Sequence, residues 1–230
     1  MKFNIITLIP EIYETYFNFS VFYNALKKNL FSYEIKNLRD FGLGVHKKVD
    51  DYPYGGGIGM ILRIEPLVDC LNSFSEKGKV IFMAPRGKRL DNKVVKELSK
   101  LPILTIVNGR YEGVDERFIE KYVDECISIG DFVLTGGDPA ALALIDSVLR
   151  HVPGFLEQEA LEEESFENSL LEYPQYTRPY EYMGLKVPDI LISGNHKDIE
   201  KWRKIQRIEM TKKYRPDLLS SELNNENKNS

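Results

Sequence analysis

Between Val107 and Asp138 the chain holds two glycine-punctuated turns, Asn108-Gly109-Arg110-Tyr111-Glu112-Gly113 and Ser128-Ile129-Gly130-Asp131-Phe132-Val133-Leu134-Thr135-Gly136-Gly137-Asp138. The first follows Pro102-Ile103-Leu104-Thr105-Ile106-Val107, a short β-branched run of buried-strand character. Its glycines therefore fall where a strand ends and the backbone must turn sharply. Ligands of parallel α/β sheets bind at that end of the strands. The stretch predicts two walls of one small-molecule pocket, and it obliges the rest of the chain to supply the neighbouring strands.

Those strands are legible in order. Lys2 to Leu8 reads as a strand, and Pro10 opens a helical stretch to about Lys28, with Ile12, Tyr16 and Phe19 at helix spacing. Phe31 to Leu38 reads as a second strand, followed by a long loop, Arg39 to Met60, that carries Gly55, Gly56, Gly57 and Gly59. Ordered loops of this length are usually functional. A flexible linker is the plainer alternative, although the flanking aromatic and paired acidic residues are unlike a Gly/Ser spacer. Ile64 to Phe74 reads as a helix, and Lys79 to Ala84 as a strand ending at Pro85-Arg86-Gly87. Asp91 caps a short helix with Val94, Val95 and Leu98 on one face. Val114 to Val123 reads as helix and Glu125 to Leu134 as strand. Asp138 suits an N-cap, with Pro139 the first residue of an apolar helix, Ala140 to Arg150. Strands alternating with helices imply a largely parallel sheet covered on both faces.

Composition separates the rest of the chain from this core. Glu157 to Glu167 contains six glutamates, a run whose self-repulsion suits an interdomain linker. Beyond the irregular Tyr173 to Pro179, the stretch Lys197 to Arg215 has eight basic residues against three acidic ones, in a chain of net charge −4. It reads as an amphipathic basic helix with Ile199, Trp202, Ile205 and Ile208 inward. Ser220 to Ser230 has the composition of a disordered tail. Cys70 and Cys126 stand singly in apolar surroundings, and His46, His151 and His196 are scattered, so neither a disulfide framework nor a metal cluster is expected. Every apolar segment is interrupted by polar residues, which predicts a cytoplasmic protein without a signal peptide or membrane span.

The chain has neither G-x-G-x-x-G after a strand nor G-x-x-x-x-G-K-[ST], so dinucleotide binding and nucleoside-triphosphate hydrolysis lose ground. Turns at Ala84, Asn108 and Ser128 would instead present backbone amides and carbonyls to a planar base, with Glu112 and Asp131 able to face a cationic ligand. For any one of these turns, a tight strand-to-helix connection is the plainer reading; together they argue for a pocket.

The segments Val49 to Gly57, Gly109 to Arg117, Ser128 to Asp131, Leu144 to Val148, Tyr176 to Pro179 and Leu191 to His196 closely resemble the bacterial TrmD family of tRNA (guanine-N1)-methyltransferases, over a match running to about Leu219. The resemblance implies a SPOUT-type α/β fold: a parallel sheet with helices on both faces and a deep trefoil knot, plus a small helical C-terminal domain. It implies residues 1–156 as the cofactor-binding domain, 157–171 as the acidic linker, 172–219 as the tRNA-binding domain and 220–230 as the tail. It further implies a homodimer with shared active sites, and a guanosine immediately 3′ of the anticodon in the tRNA anticodon stem-loop as target, preceded by another guanosine.

By the same resemblance, S-adenosylmethionine is held by Phe82, Met83, Ala84, Pro85, Gly109, Tyr111, Glu112, Gly113, Ser128, Ile129, Gly130, Phe132, Leu134, Gly136, Gly137 and Ala140. Candidate tRNA contacts are His46, Asp50, Gly57, Gly59, Lys201, Arg203, Lys204 and Arg207. The catalytic pair is Arg150, against charge growing on O6, and a carboxylate in the linker that takes the N1 proton. The family usually reads Glu-Asp-Ser-Phe there, whereas this chain reads Glu163-Glu164-Ser165-Phe166, which puts Glu164 at the aspartate position. Glutamate has similar basicity and longer reach. Two lesser departures are Ile58 where proline is usual and Pro139 one position early. Magnesium during turnover is a family property for which the sequence shows no dedicated ligand cluster. An S-adenosylmethionine-binding RNA chaperone or regulator without catalysis is the alternative that Glu164 leaves open, and a nucleotide-binding interaction module is a third.

Overall fold

A computed structural model describes residues 1–157 and 164–219, and the chain divides into two compact units, 1–156 and 157–230. In the first, β1 (Lys2–Thr7), β2 (Ser32–Asn37), β5 (Lys79–Arg89), β6 (Ile103–Asn108) and β7 (Glu125–Ser128) form one sheet in the order β2-β1-β6-β5-β7, every pairing parallel. Alternation along the strands sorts the core into two layers, as a sheet buried on both faces requires. Phe3, Ile5, Ile81, Met83, Leu104 and Ile106 face α1 (Glu11–Phe17), α2 (Ser20–Lys27), α4 (Asn92–Leu98) and α6 (Asp138–Arg150). Ile6, Val80, Phe82 and Val107 face α3 (Ile64–Asn72) and α5 (Glu116–Tyr122). Asp91 caps α4 by accepting from the Val94 amide at 2.9 Å.

The helix expected from Pro10 to Lys28 is two helices. Tyr13, Phe17, Phe22 and Ala25 are the buried residues, whereas Phe19 is extended and 73% exposed between the helices. Phe17 and Phe22 stand five residues apart, on roughly opposed faces of a single helix at about 3.6 residues per turn, so burying both requires the axis to break. The long loop of residues 39–60 is also more structured than expected. A 3₁₀ turn (Leu38–Phe41) opens it, and β3 (Asp50–Asp51) pairs antiparallel with β4 (Ile61–Leu62), which turns the four glycines into a hairpin tip with Tyr52, Tyr54 and Ile58 exposed.

Two strand ends depart from the sequence reading. β5 does not end at Pro85: Met83 and Lys88 both pair with Ile127, so residues 84–87 arch out of the ladder and the strand then resumes to Arg89. β7 is shorter than the expected Glu125 to Leu134, because the Ser128 hydroxyl accepts from the Gly130 amide at 3.2 Å and donates to its carbonyl at 3.0 Å, turning the chain out of the sheet. Phe132, Val133 and Leu134 are consequently exposed.

In the second unit, a hairpin of β8 (Glu181–Tyr182) and β9 (Leu185–Lys186) and a 3₁₀ turn (Asp189–Ile192) precede α7 (His196–Tyr214). Ile205 and Ile208 of α7 are exposed, not inward as expected, while Trp202, Arg203, Arg207 and the fully buried Thr211 lie on its covered side. Polar side chains can fill that face because they meet backbone groups of residues 164–172. The expected linker falls partly, and the expected disordered tail wholly, outside the described residues. Cys70 is buried and Cys126 half-buried, both as thiols. Among the described residues no helix is long and apolar enough to cross a membrane.

Gly87 closes the arch against β7: a Cβ there would stand 2.4 Å from the Ile127 amide nitrogen. Gly87→Ala is expected to lower the unfolding free energy by about 3 kcal/mol in urea titration; a change within about 0.5 kcal/mol would show that the crossing yields freely.

Candidate active site

The arch of β5, the turn after β6 and the loop after β7 enclose a cavity of about 440 Å³ at the carboxyl edge of the sheet. Every residue named from the sequence for the cofactor lines it. Val114, Ile127 and Val133 also line it as neighbours within the same turns, and Arg86 and Arg110 lie inside turns already singled out. Glu116 and Ile119 were missed because they reach the cavity from the first turns of α5, whose orientation no local spacing reports.

The walls meet at two glycines. Gly137 donates its amide to the Gly109 carbonyl at 2.9 Å, and a Cβ on Gly137 would lie 3.1 Å from both Asn108 Cα and the Gly109 nitrogen. Beside them Arg110 pairs with Gly136 and donates to the Thr135 carbonyl at 3.2 Å. Asp138 is not the N-cap its sequence position suggested. Gly137 holds that place, and the buried Asp138 carboxylate turns inward, where Oδ1 accepts from the hydroxyls of Thr7 at 2.5 Å and Tyr13 at 3.2 Å. Asn108 Nδ2 donates to the Tyr13 oxygen at 2.8 Å and the Ile6 carbonyl at 3.1 Å. Burial first, and the adjoining Asp138 carboxylate second, push the Tyr13 phenol well above its ordinary range. Asp138 Oδ2 and Asn108 Oδ1 are buried with no hydrogen-bond partner among the described residues. An unmet buried acceptor costs on the order of 1–3 kcal/mol, so two stand against the stability of this junction.

The glycine hairpin is joined to the second wall through the backbone. Glu112 donates to the Met60 carbonyl at 3.0 Å, Leu62 to the Gly113 carbonyl at 2.9 Å and Asp115 to the Leu62 carbonyl at 3.0 Å. The Glu112 side chain lies against Gly59, where a Cβ would stand 2.5 Å from its Cγ. Gly57, Gly59 and Asp50 thus belong to a hairpin that touches the cavity wall, whereas the exposed His46 sits in the separate turn closed by the Leu43–Lys48 pair. At the rim, Arg86 pairs with Glu116 at 2.9 Å. Among the described residues no group of three or more His, Cys, Asp or Glu side chains could hold a metal ion.

Arg150 ends α6 in the first unit, and Glu164 belongs to the second. On α7, Lys201 and Lys204 are exposed, with Lys201 3.9 Å from Asp198. Arg203 lies over the Tyr173 ring at 4.7 Å, and Arg207 donates to the carbonyls of Glu164, Glu167 and Leu171.

Residues 1–221 match the family model described as tRNA (Guanine-1)-methyltransferase TrmD. The chain belongs to the TrmD family. It is 52% identical over 221 residues to a tRNA (guanine-N(1)-)-methyltransferase of Clostridium beijerinckii, covering 95% of this chain and 92% of that protein. Proteins of the same name from Caldicellulosiruptor saccharolyticus and Ruminiclostridium cellulolyticum are each 49% identical, covering 96% of this chain and 91% and 97% of theirs. The TrmD fold is the SPOUT sheet with a deep trefoil knot and a helical C-terminal domain. Here the chain leaves edge strand β7, returns across residues 108–110 and enters α6 against β1, and that return is what the Gly109–Gly137 contact fastens.

Tyr13→Phe removes the hydroxyl shared by Asp138 and Asn108. It is expected to lower the unfolding free energy by about 2 kcal/mol in urea titration; an unchanged midpoint would mean that the network beneath the TrmD cleft is not a fastening.

Proposed function

We infer that the chain transfers a methyl group from S-adenosylmethionine to N1 of the guanosine immediately 3′ of the anticodon in tRNA, preferring a preceding guanosine. The observation that carries this reading is the match to the family along residues 1–221, which spans both the walled cleft and the basic helix α7. The residues present suit the donor: about 440 Å³ lies within the roughly 300–1,000 Å³ of small-molecule sites, and Glu112 brings a carboxylate to a ligand that carries positive charge.

When bound, S-adenosylmethionine would supply a methyl carbon made electrophilic by its sulfonium, its methyl–sulfur bond breaking to leave a neutral thioether. The chain's residues supply the rest. Glu164 accepts the N1 proton of the guanine, which frees the N1 lone pair to form the new N–C bond. As that proton leaves, charge grows on O6, where the Arg150 guanidinium stabilises it until N1 takes the methyl. Residues 1–156 hold the donor, and the C-terminal unit holds RNA, with Lys201 and Lys204 on phosphates and Arg203 beside them. The hairpin carrying Asp50, Gly57 and Gly59, with His46 in the turn before it, borders the bases of the loop. Magnesium, where it takes part, accompanies the RNA and the carboxylates.

The working form is a homodimer with active sites shared between chains, in the cytoplasm. Phe132, 53% exposed, and Val133, 84% exposed, give the cleft an apolar rim that a second copy would cover.

Purified protein given S-adenosylmethionine and a matching tRNA transcript is expected to leave N1-methylguanosine, read by nucleoside mass spectrometry; its absence would sink the reading. Glu164→Gln is expected to lower kcat on the order of a hundredfold or more, and Arg150→Ala by a similar factor, with tRNA affinity kept in both. Unchanged turnover would remove the residue from its role.

A further inference from the structure

Residues 164–172 form a closed loop within the second unit. The Phe166 amide donates to the Leu170 carbonyl at 2.7 Å, Glu167 to Glu164 and Leu170 to Glu167 at 3.3 Å each, and Glu172 to the Ser165 hydroxyl at 3.1 Å. Phe166, Asn168 and Ser169 take φ of 73, 52 and 54°. Asparagine visits this region readily, but phenylalanine and serine do so rarely, so the conformation at Phe166 and Ser169 has to be held by its surroundings.

Arg215 lies over the Phe166 ring at 5.6 Å, but the hydrogen bonds from α7 to the loop backbone come from Arg207 and from Thr211, a turn later. Arg207 Nε donates to the Leu171 carbonyl at 3.2 Å, and Nη2 donates to the carbonyls of Glu164 at 3.3 Å and Glu167 at 3.0 Å. Thr211 Oγ1 accepts from the Leu171 amide at 2.9 Å and donates to the Arg207 carbonyl at 2.7 Å. We propose that Arg207 is a positioning residue for Glu164: its guanidinium fixes the loop that carries the base, and it is not a phosphate contact.

A guanidinium fork can bond carbonyls at three points of one loop, whereas a lysine is a single point charge. Three of the five N–H groups that an arginine carries are directed onto the loop, so the orientation of the guanidinium is set by those carbonyls. A general base works only within hydrogen-bond reach of its proton, so the loop that carries it has to be held. This proposal rests on Glu164 being the base.

The two roles respond differently to Arg207→Lys, which keeps the charge and loses the fork. Positioning predicts that kcat falls on the order of a hundredfold, that the KM for tRNA stays within about twofold, and that the salt dependence of tRNA binding is unchanged. Amide hydrogen exchange at residues 164–171 should quicken. The double variant Glu164→Gln with Arg207→Lys should be no slower than Glu164→Gln alone, because Arg207 acts through that carboxylate. Thr211→Val, nearly isosteric, should shift kcat and exchange in the same direction, and it carries the test if Arg207→Lys does not fold.

Wild-type kcat in Arg207→Lys, or weaker tRNA binding with a salt slope reduced by about one, would overturn the proposal in favour of a phosphate contact. So would a lower kcat with unaltered exchange. If Glu164→Gln alone turns over at the wild-type rate, the assignment of the base fails. In that case quickened exchange in Arg207→Lys would show that the loop is still held as described, for a purpose other than catalysis.

Discussion

The Gly137 amide and the Gly109 carbonyl meet at 2.9 Å, and around that single hydrogen bond the first unit is organised. One glycine begins the turn after β6, the other precedes α6, and a side chain on either would crowd its neighbours: a Cβ on the second would stand 3.1 Å from Asn108 Cα, and one on the first 3.2 Å from the Phe82 ring. Beneath them Thr7 of β1, Tyr13 of α1, Asn108 of β6 and Asp138 of α6 share three buried hydrogen bonds, so the start of the chain is fixed at one point to β6 and α6, which lie about a hundred residues or more further on. The two unmet oxygens of that cluster, on Asp138 and Asn108, weigh against a gain made elsewhere. The large apolar layers on both sheet faces absorb such a deficit.

Most of the sheet was legible because parallel strands buried on both faces leave continuous β-branched and apolar runs, as in residues 103–107 and 79–84. The cavity followed from the same fact, since a glycine turn at the end of such a strand faces the carboxyl edge. The arch of residues 84–87 was not legible. Its cause is the repeated pairing with Ile127, a partner that sequence spacing does not name. The break between α1 and α2 was hidden for a related reason: the helical period ran through Phe19, and only the demand to bury Phe17 and Phe22 together decides against it. Asp138 had every local mark of a cap, and a tertiary partner on β1 took its carboxylate away. The knot left no mark in periodicity, and only the likeness of whole motifs announced it.

The second unit shows the opposite balance. Its main helix is strongly basic, and the sequence invites the view that all of this charge is offered outward. Yet Arg203 is laid on Tyr173 and Arg207 on three carbonyls, while Ile205 and Ile208 stand in solvent. A small unit with few large apolar residues to bury is held by side chains that satisfy backbone groups. Net charge along a helix therefore says little about which cations are available to a partner, until the acceptors behind it are known.

The return of the chain from β7 across residues 108–110 into α6 fixes an order of events during synthesis. Strands β1, β2, β5, β6 and β7 are all complete by Ser128, and they can begin to pair while the following residues are still inside the ribosome. Gly137 cannot dock on Gly109, nor Asp138 on Thr7, until α6 has emerged and been drawn into place. The walled cleft is thus the last part of the first unit to close, and a nascent chain stopped short of α6 would carry a sheet without it.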